Sequence, residues 1–473
     1  MYKYFFIILV FSISFSNHGH RCGFMHHALN EPESRVRPET DTYAVSPSGH
    51  FYIHYDLSGN DAPILDDNNS NGVPDYIDEV GIIADSSRHV LVDIMGFLPE
   101  PSDGDGIYDI YIDDLGPGYY GVNILDSDFT DGQSYIKIDD EYESGDYYIP
   151  GINTMRLTVA HEFFHAIQRA YRIYPSSSTG FFYEMSSTWI EDVIVPDGDD
   201  YLNWTDQFFN DADKNITSTD GYSIALYGHY LASVIDGESD PMQSSIIKNM
   251  WEKFSAINNA HYSIDWTLNN TYDTDFANTW VDFISKNLYN GMFNDMNNDI
   301  YYYSDQINAN PINSHTSEIN FSSNQYYSSY WYGNRATIIK YIPQDDFFIN
   351  ILSNGPFYSQ IAIVSSNQNN VISETSADDF YRVSNDDSDT IYVIGTHSGS
   401  TAIGSFDLLV FEYDYGDINM DNIFNVIDVV ALINHIFNIN PLSGLPLVLA
   451  DMNFDTFYDV IDIVAIVNII LDS

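Results

Sequence analysis

The chain has 473 residues, 44% hydrophobic and 15% aromatic, so it can fold real cores and is too long for one of them. Its 16 Lys and Arg against 69 Asp and Glu leave a net charge of −53, which repels phosphate backbones and anionic lipid surfaces and argues against nucleic acid as a partner. A single cysteine, Cys22, rules out an intramolecular disulfide, so stability outside a cell has to come from cores and bound metal.

Met1, Tyr2 and Lys3 precede an apolar run from Tyr4 to Phe15 with small residues at Ser14 and Ser16, the pattern of a signal peptide over 1–16. The run is well short of the roughly 20 residues that span a bilayer, so a soluble exported protein with no membrane span is expected. Residues 17–45 are polar, carry His18, His20, His26 and His27, lack an apolar period, and read as a leader or propeptide. FYIHYD from Phe51, IYDIYID from Ile107 and SYIKID from Ser134 alternate as strands. Helical spacing follows over 153–171, closed by Pro175 and the SSSTG loop, then over 181–195 up to Pro196, over 223–235 and over 277–289. Strands first and helices later describe an α+β unit over 46–298. Short Tyr/Ile/Ser runs such as ATIIKYI and DTIYVIGT make 299–412 an expected all-β sandwich. Over 413–473 an acidic loop leading into an apolar helix occurs twice, starting at Asp417 and again 34 residues on at Asp451.

TVAHEFFHAIQ contains His161, Glu162 and His165 on a predicted helix. Residues four apart share a helical face, so both imidazoles can reach one ion while Glu162 sits beside its open position and serves as general base. Two imidazoles do not complete a zinc site, and Glu184, after 18 intervening residues and on the next helix, is the candidate third ligand. HExxH on one helix and a glutamate on the next resemble the gluzincin peptidases, a resemblance that implies a zincin-like fold, zinc on His161, His165 and Glu184, and catalysis by Glu162. More narrowly, DDNNSNGVPDYID, YDIYIDD, HEFFHAIQ and TWIEDVIVP resemble secreted bacterial proteins assigned as metalloproteases over about residues 45–295. The Gly-Met-Glu-Asn motif of aminopeptidases with similar metal spacing is absent, which favours an endopeptidase acting on proteins or peptides. Glu191, seven residues past Glu184 on the same helical face, is placed to orient a ligand imidazole. Tyr227 and His229 are the candidates for steadying developing negative charge. Cys22 lies in HRCGF, and its thiolate can hold the open metal position until the leader leaves. Arg21-Cys22-Gly23 resembles the cysteine switch of other zinc peptidase families.

Oxygens at positions 1, 3, 5, 7, 9 and 12 of an acidic loop wrap a calcium ion. Asp67, Asn69, Asn71, Val73, Asp75 and Asp78 fit that spacing, with Gly72 at position 6. The tail repeats it as Asp417, Asn419, Asp421, Asn425 and Asp428, and as Asp451, Asn453, Asp455, Asp459 and Asp462. Two such loop-helix units resemble a type I dockerin module, which implies calcium at these positions and docking onto a cohesin-like partner. Position 6 is Asn422 in one copy and Thr456 in the other, and β-branched Thr suits the left-handed turn badly. A noncatalytic calcium-binding surface or adhesion protein, and a dockerin-bearing glycoside hydrolase using paired carboxylates, are the competing readings.

Overall fold

The computed structural model describes residues 22–30, 36–116, 119–126, 131–143, 147, 149–288, 290–291, 308–314, the strands between 317 and 411, and 413–472. The expected signal peptide lies outside these residues. The chain divides into two compact units, Met1–Pro175 with Ile190–Asp200, and Ser176–Trp189 with Tyr201–Ser473.

The first unit opens with helix α1 (Phe24–Asn30) and is built on a mixed sheet of β1 (Thr42–Val45), β2 (Phe51–Tyr55), β3 (Tyr108–Asp113), β4 (Gly121–Leu125) and β5 (Ser134–Asp139). Its order is β1-β2-β3-β5-β4, with β3 parallel to β2 and β5 and the edge strand β4 antiparallel to β5. The alternation of FYIHY is real, since Phe51, Ile53 and Tyr55 are buried and the residues between them half-buried. Helix α2 (Asp75–Arg88) packs on β2 and on α3 (Ile152–Tyr171), and α3 lies against β4 and β5. Phe163 of α3 meets Phe51 and Tyr108 edge-on, at 5.1 and 5.7 Å between ring centres. With strands and helices combined around that sheet, the unit is mixed α and β, as expected.

The opposite face of the sheet carries Tyr111, Val122, Ile124 and Tyr135. Over them lies Arg37, which donates to Asp103 and Asp126 at 2.8 Å and to Asp109, with its guanidinium 5.7 Å from the Tyr135 ring centre. Tyr135 in turn donates its hydroxyl to the Val36 carbonyl at 3.1 Å. The leader boundary expected at residue 45 therefore falls inside the sheet unit: β1 pairs with β2 from Thr42 to Val45, and Arg37 is fixed to β3 and to Asp126 just past β4. Four residues, TYAV, are too few for a period of two to announce itself.

Helix α4 (Gly180–Ile194) begins in the second unit and ends in the first. The second unit continues with α5 (Leu202–Phe209), α6 (Ala225–Tyr230), α7 (Ile246–Ile257), α8 (Ala260–Thr271) and α9 (Phe276–Asn287). Side-chain oxygens of Asn259 and Asp275 cap α8 and α9, and Asn258 closes α7 in the left-handed region. The helix expected over 223–235 is instead α6 between a short 3-10 turn and a π turn. Trp251 stacks on Phe182 at 4.8 Å and gives its indole N–H to Ser186 Oγ at 3.1 Å, while a Cβ on Gly228 would fall 2.7 Å from the Trp189 ring.

Strands β6 (Ser317–Asn320), β7 (Gln325–Tyr332), β8 (Thr337–Ile342), β9 (Phe347–Asn354), β10 (Ser359–Ser365), β11 (Ile372–Ser373), β12 (Phe380–Val383), β13 (Ile391–His397) and β14 (Ile403–Phe411) form two sheets, ordered β11-β10-β13-β8-β6 and β12-β9-β14-β7. Two separate sheets are what a sandwich requires; most side chains of their faces lie outside the described residues. The tail consists of α10 (Val426–Ile436), α11 (Leu445–Leu449) and α12 (Val460–Asp472) around Ile418, Val429, Leu432, Ala450 and Ile466. No helix among the described residues is long and apolar enough to cross a membrane.

Replacing Arg37 with Ala strips the nearly buried Asp109 of its guanidinium. The change is expected to lower the stability of the sheet unit by about 2 kcal/mol, read from the urea midpoint of its transition.

Candidate metal centre

Helix α3 is buried on every side from Leu157 to Arg169, so the polar groups it carries there must find partners within the protein. His161 Nδ1 lies 2.5 Å from Glu191 Oε1, and His165 Nδ1 lies 2.7 Å from Gln168 Oε1. The Glu191 carboxylate can only accept, so His161 Nδ1 carries the proton and its Nε2 presents a lone pair; with the amide oxygen of Gln168 facing it, His165 is the same tautomer. Those two Nε2 atoms face each other at 3.1 Å. Two lone pairs at that distance repel unless a positive centre lies between them.

Cys22 Sγ stands 3.4 Å from His165 Nε2. A tetrahedral ion with bonds of roughly 2.0–2.1 Å to nitrogen and 2.3 Å to sulfur separates two nitrogens by about 3.3 Å and nitrogen from sulfur by about 3.5 Å, close to both observed spacings. Glu184 completes the group: Cys22, His161, His165 and Glu184 are all buried and each offers a ligand atom within 4.8 Å of the others. Two imidazoles, a thiol and a carboxylate form a donor set that suits a divalent transition metal.

Residues 22–24 reach this centre by joining the edge of the sheet. Cys22 forms a bridge with Gly121, Gly23 N donates to Gly121 O at 2.9 Å, and the Phe24 ring stacks on His165 at 3.9 Å, nearly parallel. Arg169, one turn beyond His165, holds Asn123 of β4 at 2.6 Å and places its guanidinium 4.9 Å from the Phe24 ring centre. Gly121 is required by close approach, because a Cβ there would lie 2.6 Å from Thr158 Cγ2 and 2.8 Å from Glu162 Cγ. The Glu162 side chain therefore lies directly beneath the start of the edge strand.

The spacing of the sequence marked His161, Glu162, His165, Glu184, Glu191 and Cys22, and the fold gathers them. It did not mark Gln168, Gly121, Phe24 or Arg169. Gln168 stands three residues after His165, a spacing that puts the two on one helical face and was legible in principle. Tyr227 and His229 have the surroundings of packing residues. Tyr227 is wedged among Phe276, Trp280 and Phe283, its hydroxyl 2.8 Å from Thr279 Oγ1, and burial raises its pKa. His229 stacks on Tyr201 at 5.3 Å, and burial holds its pKa down at about 3, so the ring is neutral at ordinary pH.

The three acidic loops share one backbone. Positions 4 and 6 have positive φ in each: Ser70 and Gly72, Met420 and Asn422, Phe454 and Thr456. The first aspartate of each loop accepts from the amides of positions 5 and 6: Asp67 from Asn71 and Gly72, Asp417 from Asp421 and Asn422, Asp451 from Asp455 and Thr456. The twelfth residue closes the tail loops, Asp428 accepting from Asn419 N and Asn425 N, and Asp462 from Met452 N and Asp459 N. In the first loop Asp78 accepts from the side-chain amides of Asn69 and Asn71, and Asp75 from Asn68.

No protein-family model matches the chain, and no curated protein matches it. Among solved structures, the chain is similar over 20% of its length to a periplasmic inhibitor of g-type lysozyme from Aeromonas hydrophila, covering 95% of that chain at 6% identity and a TM-score of 0.18. Over 20% of its length it is likewise similar to the pre-peptidase C-terminal domain of a Bacillus anthracis collagenase, covering 96% of that chain at 10% identity and a TM-score of 0.17.

Thr456 sits at φ 67, where a β-branched side chain is strained. Thr456→Gly is expected to stabilise the second tail loop by about 1 kcal/mol, seen as a higher melting temperature of the tail transition in calorimetry.

Proposed function

We propose that the chain is a secreted zinc metalloendopeptidase of the zincin-like α+β type, held latent by its own leader. The observation that carries this reading is the pair of His161 and His165 Nε2 atoms facing each other at 3.1 Å beside Cys22 and Glu184, with both Nδ1 atoms engaged by Glu191 and Gln168. His161, His165 and Glu184 would hold the ion, with Glu191 and Gln168 orienting the two imidazoles from their Nδ1 sides. Zinc in this setting supplies the Lewis acidity that makes water nucleophilic near neutral pH. Glu162 is the general base: it takes the proton of the attacking water and returns it to the leaving amine. Its place beneath Gly121 brings it next to any peptide that adds to the edge of β4, and the Gly23–Gly121 hydrogen bond indicates how such a peptide pairs there.

In the latent form the Cys22 thiol takes the position that water needs, while Phe24 covers His165. Residues 299–412 are an accessory β-sandwich, and the loops at Asp67, Asp417 and Asp451 bind calcium. The tail is a dockerin-like module for a cohesin-like partner. Support for docking is the pair of equivalent exposed faces, Val426, Ile427 and Val430 on one helix and Val460, Ile461 and Val464 on the other.

Glu162→Gln is expected to lower casein cleavage by the matured protein at least about a hundredfold with zinc content unchanged. Equal cleavage by wild type and variant would overturn the assignment. Cys22→Ser should shorten the lag before activity in a maturation time course, and an unaltered lag would show that the thiol does not restrain the site.

A further inference from the structure

A cleft of about 350 Å³ opens beside the first turns of α3. Its apolar lining includes Ile64, Tyr76 and Ile152 over the buried Tyr142 and Met155, and it also carries the carboxylates of Asp66, Asp75, Glu79, Glu141 and Glu143. We propose that this cleft receives a lysine or arginine side chain of the substrate, so that the enzyme prefers peptides with a basic residue near the cut bond; the inference rests on the peptidase reading above.

Acidic residues are common in this chain, and what sets the cleft apart is concavity over an apolar floor. Ile64 and Ile152 are 50% and 42% exposed and Tyr76 is half-buried, with Tyr142 and Met155 buried among them. Glu79 is neutralised by Arg156 at 2.6 Å, and Asp75 is engaged by Asn68 at 2.7 Å. Asp66, Glu141 and Glu143 have no cationic partner among the described residues. Lysine and arginine match this arrangement, laying an aliphatic stem on Tyr76, Ile64 and Ile152 with the charged head at an acidic rim.

Tyr142 joins the cleft to the reaction centre. Its hydroxyl donates to the Tyr120 carbonyl at 2.5 Å, immediately before Gly121, the residue beneath which Glu162 packs. Met155 and Glu162 are separated by about 10 Å along the helix, the reach of roughly three extended residues of a bound peptide.

The test compares kcat/KM of the matured enzyme on peptides that differ only in carrying Arg, Lys, Gln or norleucine near the cut bond. Calorimetry on the matured Glu162→Gln protein measures binding of the uncut arginine and norleucine peptides. Wild type should favour the basic peptides about tenfold, less at high salt. In Glu141→Gln/Glu143→Gln the preference should fall towards one, with norleucine peptides cut at the wild-type rate. A control pair outside the cleft, Asp93→Asn/Glu252→Gln, should keep it. Metal-dependent cleavage without basic preference, or a preference lost equally in the control pair, overturns the cleft's role and leaves the peptidase reading standing. Should no peptide be cut, the peptidase reading falls, and equal binding of the arginine and norleucine peptides would then overturn the cleft as well.

Discussion

Two imidazole nitrogens with their lone pairs aimed at each other are the constraint around which the first unit is arranged. The 3.1 Å between them is set by helical periodicity, since residues four apart stand one turn above each other. What keeps the lone pairs there is less obvious: Glu191 can only accept, so His161 cannot turn its N–H inwards without breaking a buried hydrogen bond, and His165 can do so only if the Gln168 amide turns over as well. Burial of α3 on all sides removes water as an alternative partner. A cation at the centre relieves the repulsion, and the thiol and carboxylate beside it are the groups that bind one.

The sheet edge is the second ingredient. β4 is an edge strand with one neighbour, and an unpaired edge invites another extended segment. At Gly121 the lack of a side chain allows β4 to approach α3 closely enough for Glu162 to lie below it. Arg169 ties β4 to the same helix through Asn123, so strand and helix are held in a fixed relation. The polar residues of the sequence that attract attention by their chemistry are thus positioned by others, a glycine and an arginine, that attract none.

Much of this was legible because helix α3 carries its pattern locally: the two histidines, the intervening glutamate and the helix limits all follow from spacing. Glu191 was legible for the same reason, being two turns past Glu184. Gly121 and Phe24 were not, because nothing in their surroundings says that a strand edge and a leader residue meet a helix more than thirty residues away. Tyr227 shows the limit of chemical suitability as a guide, since in a sequence with 38 tyrosines it says little when the hydroxyl meets Thr279 inside an aromatic core. Similarly, the loop period of the tail foretold its calcium-type spacing, whereas the shared positive φ at positions 4 and 6 is a property of backbone and needed coordinates.

Residues 22–24 meet the centre through the Cys22 thiol, the Gly23–Gly121 hydrogen bond and the Phe24 ring, which lies between His165 and the Arg169 guanidinium. Such a grip suffices while the chain is continuous, because a tethered group meets its site at an effective concentration on the order of millimolar. In the proposed latent form, a cut upstream of Val36 would remove that advantage, and the same segment would become a dilute peptide held only by those contacts. Departure then follows from simple mass action, so release needs a single scission and enough surrounding volume.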